Sequence, residues 1–126
     1  MKLNKSIHRY YVDVLELLLD GHKVRGWKRF KSTYRTMDAF YSTKLGVVIK
    51  KPACILDKYT PKKFRVPTYE LIDGFVVQPL VSKKHLALAV DIIREDMQPY
   101  FKRDGFPDLH VGNVGWYKGK PLMFDW

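Results

Sequence analysis

Apolar residues recur at helical spacing near the start of the chain, at Ile7, Tyr10, Tyr11, Val14, Leu15 and Leu18, the pattern of a single helix face. Asn4 or Ser6 can cap the start and Gly21 follows the last turn, so a helix is predicted over residues 4–20. Leu17 and Leu19 widen its apolar face, which predicts cover on two sides, by a sheet and by a partner subunit. The period then shortens. Residues 37–41 and 46–50 read as two strands joined by Ser42-Thr43-Lys44-Leu45, and residues 66–71 and 74–81 as a second hairpin around Asp73-Gly74. Pro52, Pro61 and Pro67 leave only 53–59 free for a turn or two of helix. Helical spacing returns within 82–103, with Leu86, Val90, Ile93 and Met97 on one face and Pro99 ending or kinking the helix. Val114-Gly115-Trp116-Tyr117 and Pro121-Leu122-Met123-Phe124 flank Lys118-Gly119-Lys120 and read as a last hairpin. No repeat, low-complexity tract or linker interrupts the pattern, so residues 1–126 are read as one α+β domain: an antiparallel sheet, an N-terminal helix and one long helix before the terminal hairpin.

Composition adds constraints. The 46% hydrophobic and 14% aromatic content of the 126 residues suits a globular core. Cys54 is the single cysteine, which excludes an internal disulfide and a cysteine metal cluster, and its neighbours Ala53, Ile55 and Leu56 mark a buried thiol. No apolar run is long enough to span a bilayer, and the first residues lead into an amphipathic pattern, so a soluble, cytoplasmic protein is expected. The net charge of +10 attracts anions of every kind. Part of it is concentrated from His22 to Arg35, where Lys23, Arg25, Lys28, Arg29, Lys31 and Arg35 alternate with Trp27, Phe30 and Tyr34 and no acid intervenes. Cations for phosphates and flat rings for bases are what single-stranded nucleic acid requires. A solvated strand face with its aromatics turned inward has the same sequence.

The densest chemistry lies near the carboxyl end. Asp108 and Asn113 stand five apart in the Pro- and Gly-bounded loop Phe106-Pro107-Asp108-Leu109-His110-Val111-Gly112-Asn113, and Asp125 follows twelve later, beyond the last hairpin. Phosphoryl transfer needs a carboxylate near the attacking hydroxyl and hard oxygen ligands for a magnesium-bound triphosphate. Asp108 suits the first role, Asn113 and Asp125 the second, and the hairpin would bring Asp125 back beside Asn113. The simpler reading is that Asp108 and Gly112 serve turns.

At these residues the chain resembles the protein-kinase-like superfamily, in its aminoglycoside and small-molecule phosphotransferase branch. Asp108, Leu109, His110 and Asn113 match the catalytic loop Asp-Leu-His-x-x-Asn, and Asp125-Trp126 matches the metal-binding acid. Phe106-Pro107 replace the His-Gly that often precedes the catalytic acid. The resemblance extends upstream: Val47-Val48-Ile49-Lys50 is similar to the family strand whose lysine holds the nucleotide phosphates, with Lys51 the alternative if the register slips by one. Gln78-Pro79-Leu80-Val81 resembles the hinge that reads the adenine edge through its backbone. It implies a minimal kinase-like fold with Asp108 and His110 catalytic, Lys50, Gln78 and Leu80 binding ATP, and Asn113 and Asp125 binding Mg2+. An acidic partner for Lys50 would come from Asp57, Glu70 or Glu16. Lys31-Ser32-Thr33-Tyr34-Arg35-Thr36 stands where the glycine-rich loop belongs and has no glycine, so phosphate contact there falls to Ser32, Thr33 and Arg35.

Because the sequence stops one residue past the metal acid, without the family's acceptor platform, two functions are expected. One is a phosphotransferase whose acceptor site is completed by a partner protein or a second subunit. The alternative is a non-catalytic kinase-like protein that docks on a partner protein or nucleic acid through its basic surface.

Overall fold

The structure is a computed structural model and describes residues 4–30, 39–51, 62–100 and 111–123. Among these residues, two α-helices, a five-stranded antiparallel sheet and a two-stranded sheet make an α+β architecture. It divides into two compact units, Met1–Ala53 with Pro67–Leu80 and Cys54–Val66 with Val81–Trp126. No helix among the described residues is long and apolar enough to cross a membrane.

In the first unit, helix α1 (Lys5–Leu19) begins where the Asn4 side chain accepts the Ile7 N–H at 2.9 Å, satisfying one of the orphan donors of a helix start. Strands β1 (Lys28–Arg29), β2 (Ala39–Ser42), β3 (Val47–Lys50), β4 (Tyr69–Glu70) and β5 (Val76–Pro79) form a sheet of order β1-β2-β3-β5-β4, every pair antiparallel. Both edge strands have two residues, short enough to discourage pairing with other chains. Tyr11, Val14 and Leu15 of α1 pack with Phe40, Ile49 and Val77 from one face of this sheet, joined by Trp27 and Phe75. Burial of each such side chain contributes about 1.5–3 kcal/mol. His8 Nδ1 lies 3.2 Å from the Tyr69 hydroxyl, tying the start of the helix to β4. Leu17 and Leu19 remain 44% and 46% exposed, so the sheet covers α1 on one side only.

The β4–β5 connection turns at Asp73 (φ 54°) and Gly74 (φ 82°), as the Asp-Gly pair predicts. The strand before it is shorter than expected. Val66 does not belong to it: it is part of the second unit, where its N–H donates to the Met123 carbonyl at 2.8 Å, and Pro67, lacking an N–H, follows it.

The second unit is built on helix α2 (Leu86–Met97), whose Ala89, Val90, Ile93 and Met97 are buried against Phe64, Val114 and Met123. Strands β6 (Val114–Tyr117) and β7 (Lys120–Met123) pair antiparallel across a two-residue turn. Lys118 and Gly119 both have positive φ, 50° and 76°, the conformation that matches strand twist in tight hairpins. Residues 82–85 of the segment read as containing the helix stay outside it, and the helix begins at Leu86, the first residue of the apolar spacing. Ser82 instead pairs with Trp116, exchanging backbone bonds of 2.9 and 3.0 Å, and His85 is left-handed (φ 51°) immediately before the first turn. After Met97 a 3-10 turn, Gln98–Tyr100, carries Pro99, which cannot continue the α-helical ladder.

Candidate active site

The lysine expected on a strand is on the third one, at the end of β3. Side chains alternate across a strand; Ile49 enters the core beneath α1, so Lys50 faces the other side of the sheet. Register aligns Ala39, Lys50, Val76 and Glu70 in a row across that side, with Tyr41, Val48 and Gln78 in the next. Lys50 is 6% exposed. Lysine is rarely held so far from water, and this one occurs among Ala39, Val76 and Gln78, all buried. Lys51, the alternative, is exposed, with its ammonium 5.8 Å from the centroid of Phe75 in the opposite core.

Of the acids proposed to pair with Lys50, Glu70 shares its row on edge strand β4. Glu16 is exposed on α1, which packs against the other face. Asp57 lies outside the described residues.

Gln78 is 2% exposed and its Nε2 donates to Thr68 Oγ1 at 3.0 Å, a bond no sequence pattern signals. The bond satisfies one donor of an amide held away from water. Leu80, half-buried, donates its N–H to the Gly46 carbonyl at 2.9 Å. That amide is therefore committed to the sheet, and a base edge read at Leu80 would be read by its carbonyl.

In the second unit, the 3-10 turn Val111–Asn113 leads directly into β6, so the backbone of Asn113 is anchored to the hairpin. Val114 pairs with Met123, which leaves Asn113 one residue outside the ladder on one strand and Asp125 two residues beyond it on the other. Asp108, His110 and Asp125, the side chain of Asn113, and the segments containing Ser32, Thr33, Arg35 and Cys54 lie outside the described residues. Among the described residues no three His, Cys, Asp or Glu side chains cluster as a metal site.

The structure also brings forward Arg65, which nothing in the sequence distinguished. It forms a parallel bridge with Met123, two residues before Asp125, and its Nε is buried with no hydrogen-bond partner among the described residues. Gly115 has a local reason as well. A Cβ there would overlap Val81 Cγ2, lie 2.8 Å from Val81 Cβ and 3.2 Å from the Ser82 carbonyl, so glycine lets residues 81–82 lie against β6.

Compared with known proteins, the chain matches no family model, no curated protein and no solved structure.

Proposed function

We propose that the chain is a minimal kinase-like phosphotransferase that uses Mg-ATP. The observation that carries the reading is the burial of Lys50 at the end of the third strand, the strand on which kinases carry their phosphate-binding lysine. The order of elements supports it: strand lysine, β5 running into Gln78-Pro79-Leu80, helix α2, the Asp108 loop, a tight hairpin and Asp125.

On this reading Lys50 holds the nucleotide phosphates, while Gln78 and the Leu80 carbonyl border the base. Asp108 accepts the proton of the acceptor hydroxyl, and His110 contacts the transferring phosphoryl group. The oxygen donors of Asn113 and Asp125 are the hard ligands that magnesium prefers, and the ion supplies neutralisation of phosphate charge. A partner protein or second subunit completes the acceptor site, and the protein acts in the cytoplasm.

The test is transfer of label from γ-labelled ATP with magnesium, with and without cell lysate, comparing wild type with Asp108→Ala. Removal of a general base is expected to lower transfer by on the order of a hundredfold or more. Lys50→Ala is expected to weaken nucleotide binding as well. Magnesium-dependent ATP binding with no transfer by the wild type would instead favour the non-catalytic binding protein.

A further inference from the structure

Between the end of α1 and β1 runs an open groove of about 700 Å3, within the ~300–1,000 Å3 range of ligand sites. It lies on the helix side of the sheet edge, lined by Phe40, whereas Lys50 faces the other side. Its rim carries Lys23, Arg25, Lys28 and Arg29, all exposed, over a floor that includes the buried Trp27 and Phe40. The phosphotransferase reading uses none of them.

The rim is built on a fixed scaffold. Gly21 (φ 89°) and Gly26 (φ 86°) turn the chain twice within six residues, in a conformation that strains other residues. Trp27 then anchors the segment: its ring is in the core and its Nε1 donates to the Tyr10 hydroxyl at 3.3 Å. Arg29 lies over the Phe40 ring, 5.7 Å from its centroid. With Trp27 turned inward, Phe30 is the exposed aromatic among the described residues of the basic segment, 40% exposed and tilted against Tyr41 with 4.6 Å between centroids. Phe30 continues the ladder beyond β1 by donating its N–H to the Ala39 carbonyl at 2.9 Å. Lys28, two residues earlier and opposite Tyr41, shares its face, so cations occupy both sides of the edge strand and a flat ring stands at its end.

The geometry points to a binding site for single-stranded nucleic acid, its phosphates on the Lys23–Lys28 rim and a base stacked on Phe30. Four cations and no acid among residues 21–30 supply the charge complementarity. The exposed ring favours a nucleic acid over an acidic protein, because stacking needs a planar partner, and a single strand over a duplex, whose bases are already stacked. Lys23, Arg25 and Arg29 line the groove side, whereas Lys28 and Phe30 stand on the Lys50 face of the edge strand, and the phosphotransferase reading uses none of these residues.

Fluorescence anisotropy with a labelled 20-nucleotide oligothymidine tests it on the full chain. Lys23→Gln, Arg25→Gln and Lys28→Gln together are expected to weaken binding at least tenfold and to flatten the salt dependence by about 0.7 in log–log slope for each phosphate no longer neutralised. Phe30→Ala is expected to weaken oligonucleotide binding about fivefold or more, with the salt slope and binding of inorganic polyphosphate unchanged. Mg-ATP is expected not to displace the oligonucleotide. The inference is overturned if Lys118→Gln with Lys120→Gln weakens binding as much as the rim variants. It is also overturned if Phe30→Ala has no effect, if duplex or polyglutamate binds more tightly than the oligonucleotide, or if Mg-ATP competes for the site.

Discussion

Three residues show how local physics decides placement. Tyr11 is buried beneath α1, and burial, followed by the charge of neighbouring Tyr10, raises its phenol above the ordinary value of 10.0. A group whose folded pKa is raised stabilises the protein fully below the unfolded pKa and loses that contribution as pH climbs through the folded one. The stability difference between wild type and Tyr11→Phe is therefore expected to be constant at neutral pH and to shift against the wild type above about pH 10, read by urea unfolding across the pH range. Gly115 answers to space. Gly115→Ala forces a methyl group into Val81 and is expected to destabilise the second unit by about 1–3 kcal/mol, the usual cost of overpacking, as a lower denaturation midpoint. Lys50 answers to register: a shift of one residue would exchange it with Lys51 and bring the exposed cation to the buried face.

At the scale of elements, leucines two apart on one helix pack very differently. Leu15 is 1% exposed and Leu17 is 44% exposed on one helix. Leu15→Ala is expected to cost about 2–5 kcal/mol, whereas Leu17→Ala stays within about 0.5 kcal/mol, both measured by denaturant titration; a large loss at Leu17 would mean that a second copy covers that face. Elements whose signals are local were legible in the sequence. The α1 period and cap, the β2–β3 pair, the Asp73-Gly74 turn, the buried face of α2 and the last hairpin all lie close to where periodicity and turn residues predict them. What was not legible depends on distant partners. Val66 pairs with Met123 and Ser82 with Trp116, so β4 begins late and residues 82–85 stay outside α2; no pattern within either segment encodes a partner so far along the chain. Strand β1 agrees with the reading of the basic segment as a solvated strand face, Lys28 and Arg29 exposed and Trp27 turned inward, but two residues without alternation do not mark its bounds in the sequence. Of the candidate site, the lysine strand was legible from its apolar run, while the Gln78–Thr68 bond and the buried Arg65 Nε depend on packing that composition does not express.

The whole molecule assigns its chemistry by unit. The first unit holds Lys50 on one face of a five-stranded sheet and a basic groove at the edge on the other side. The second holds a helix-backed hairpin whose first strand follows directly on Asn113. Its net charge of +10 serves both polyanion binding and attraction of a nucleotide triphosphate, so affinity for anions alone separates nothing. Catalysis does. Purified protein is mixed with γ-labelled ATP, magnesium and lysate, and transfer is compared among wild type, Asp108→Ala and Lys28→Gln. Transfer by the wild type that disappears in Asp108→Ala and is retained in Lys28→Gln is the expected result; equal labelling by wild type and Asp108→Ala would contradict a phosphotransferase built on this loop.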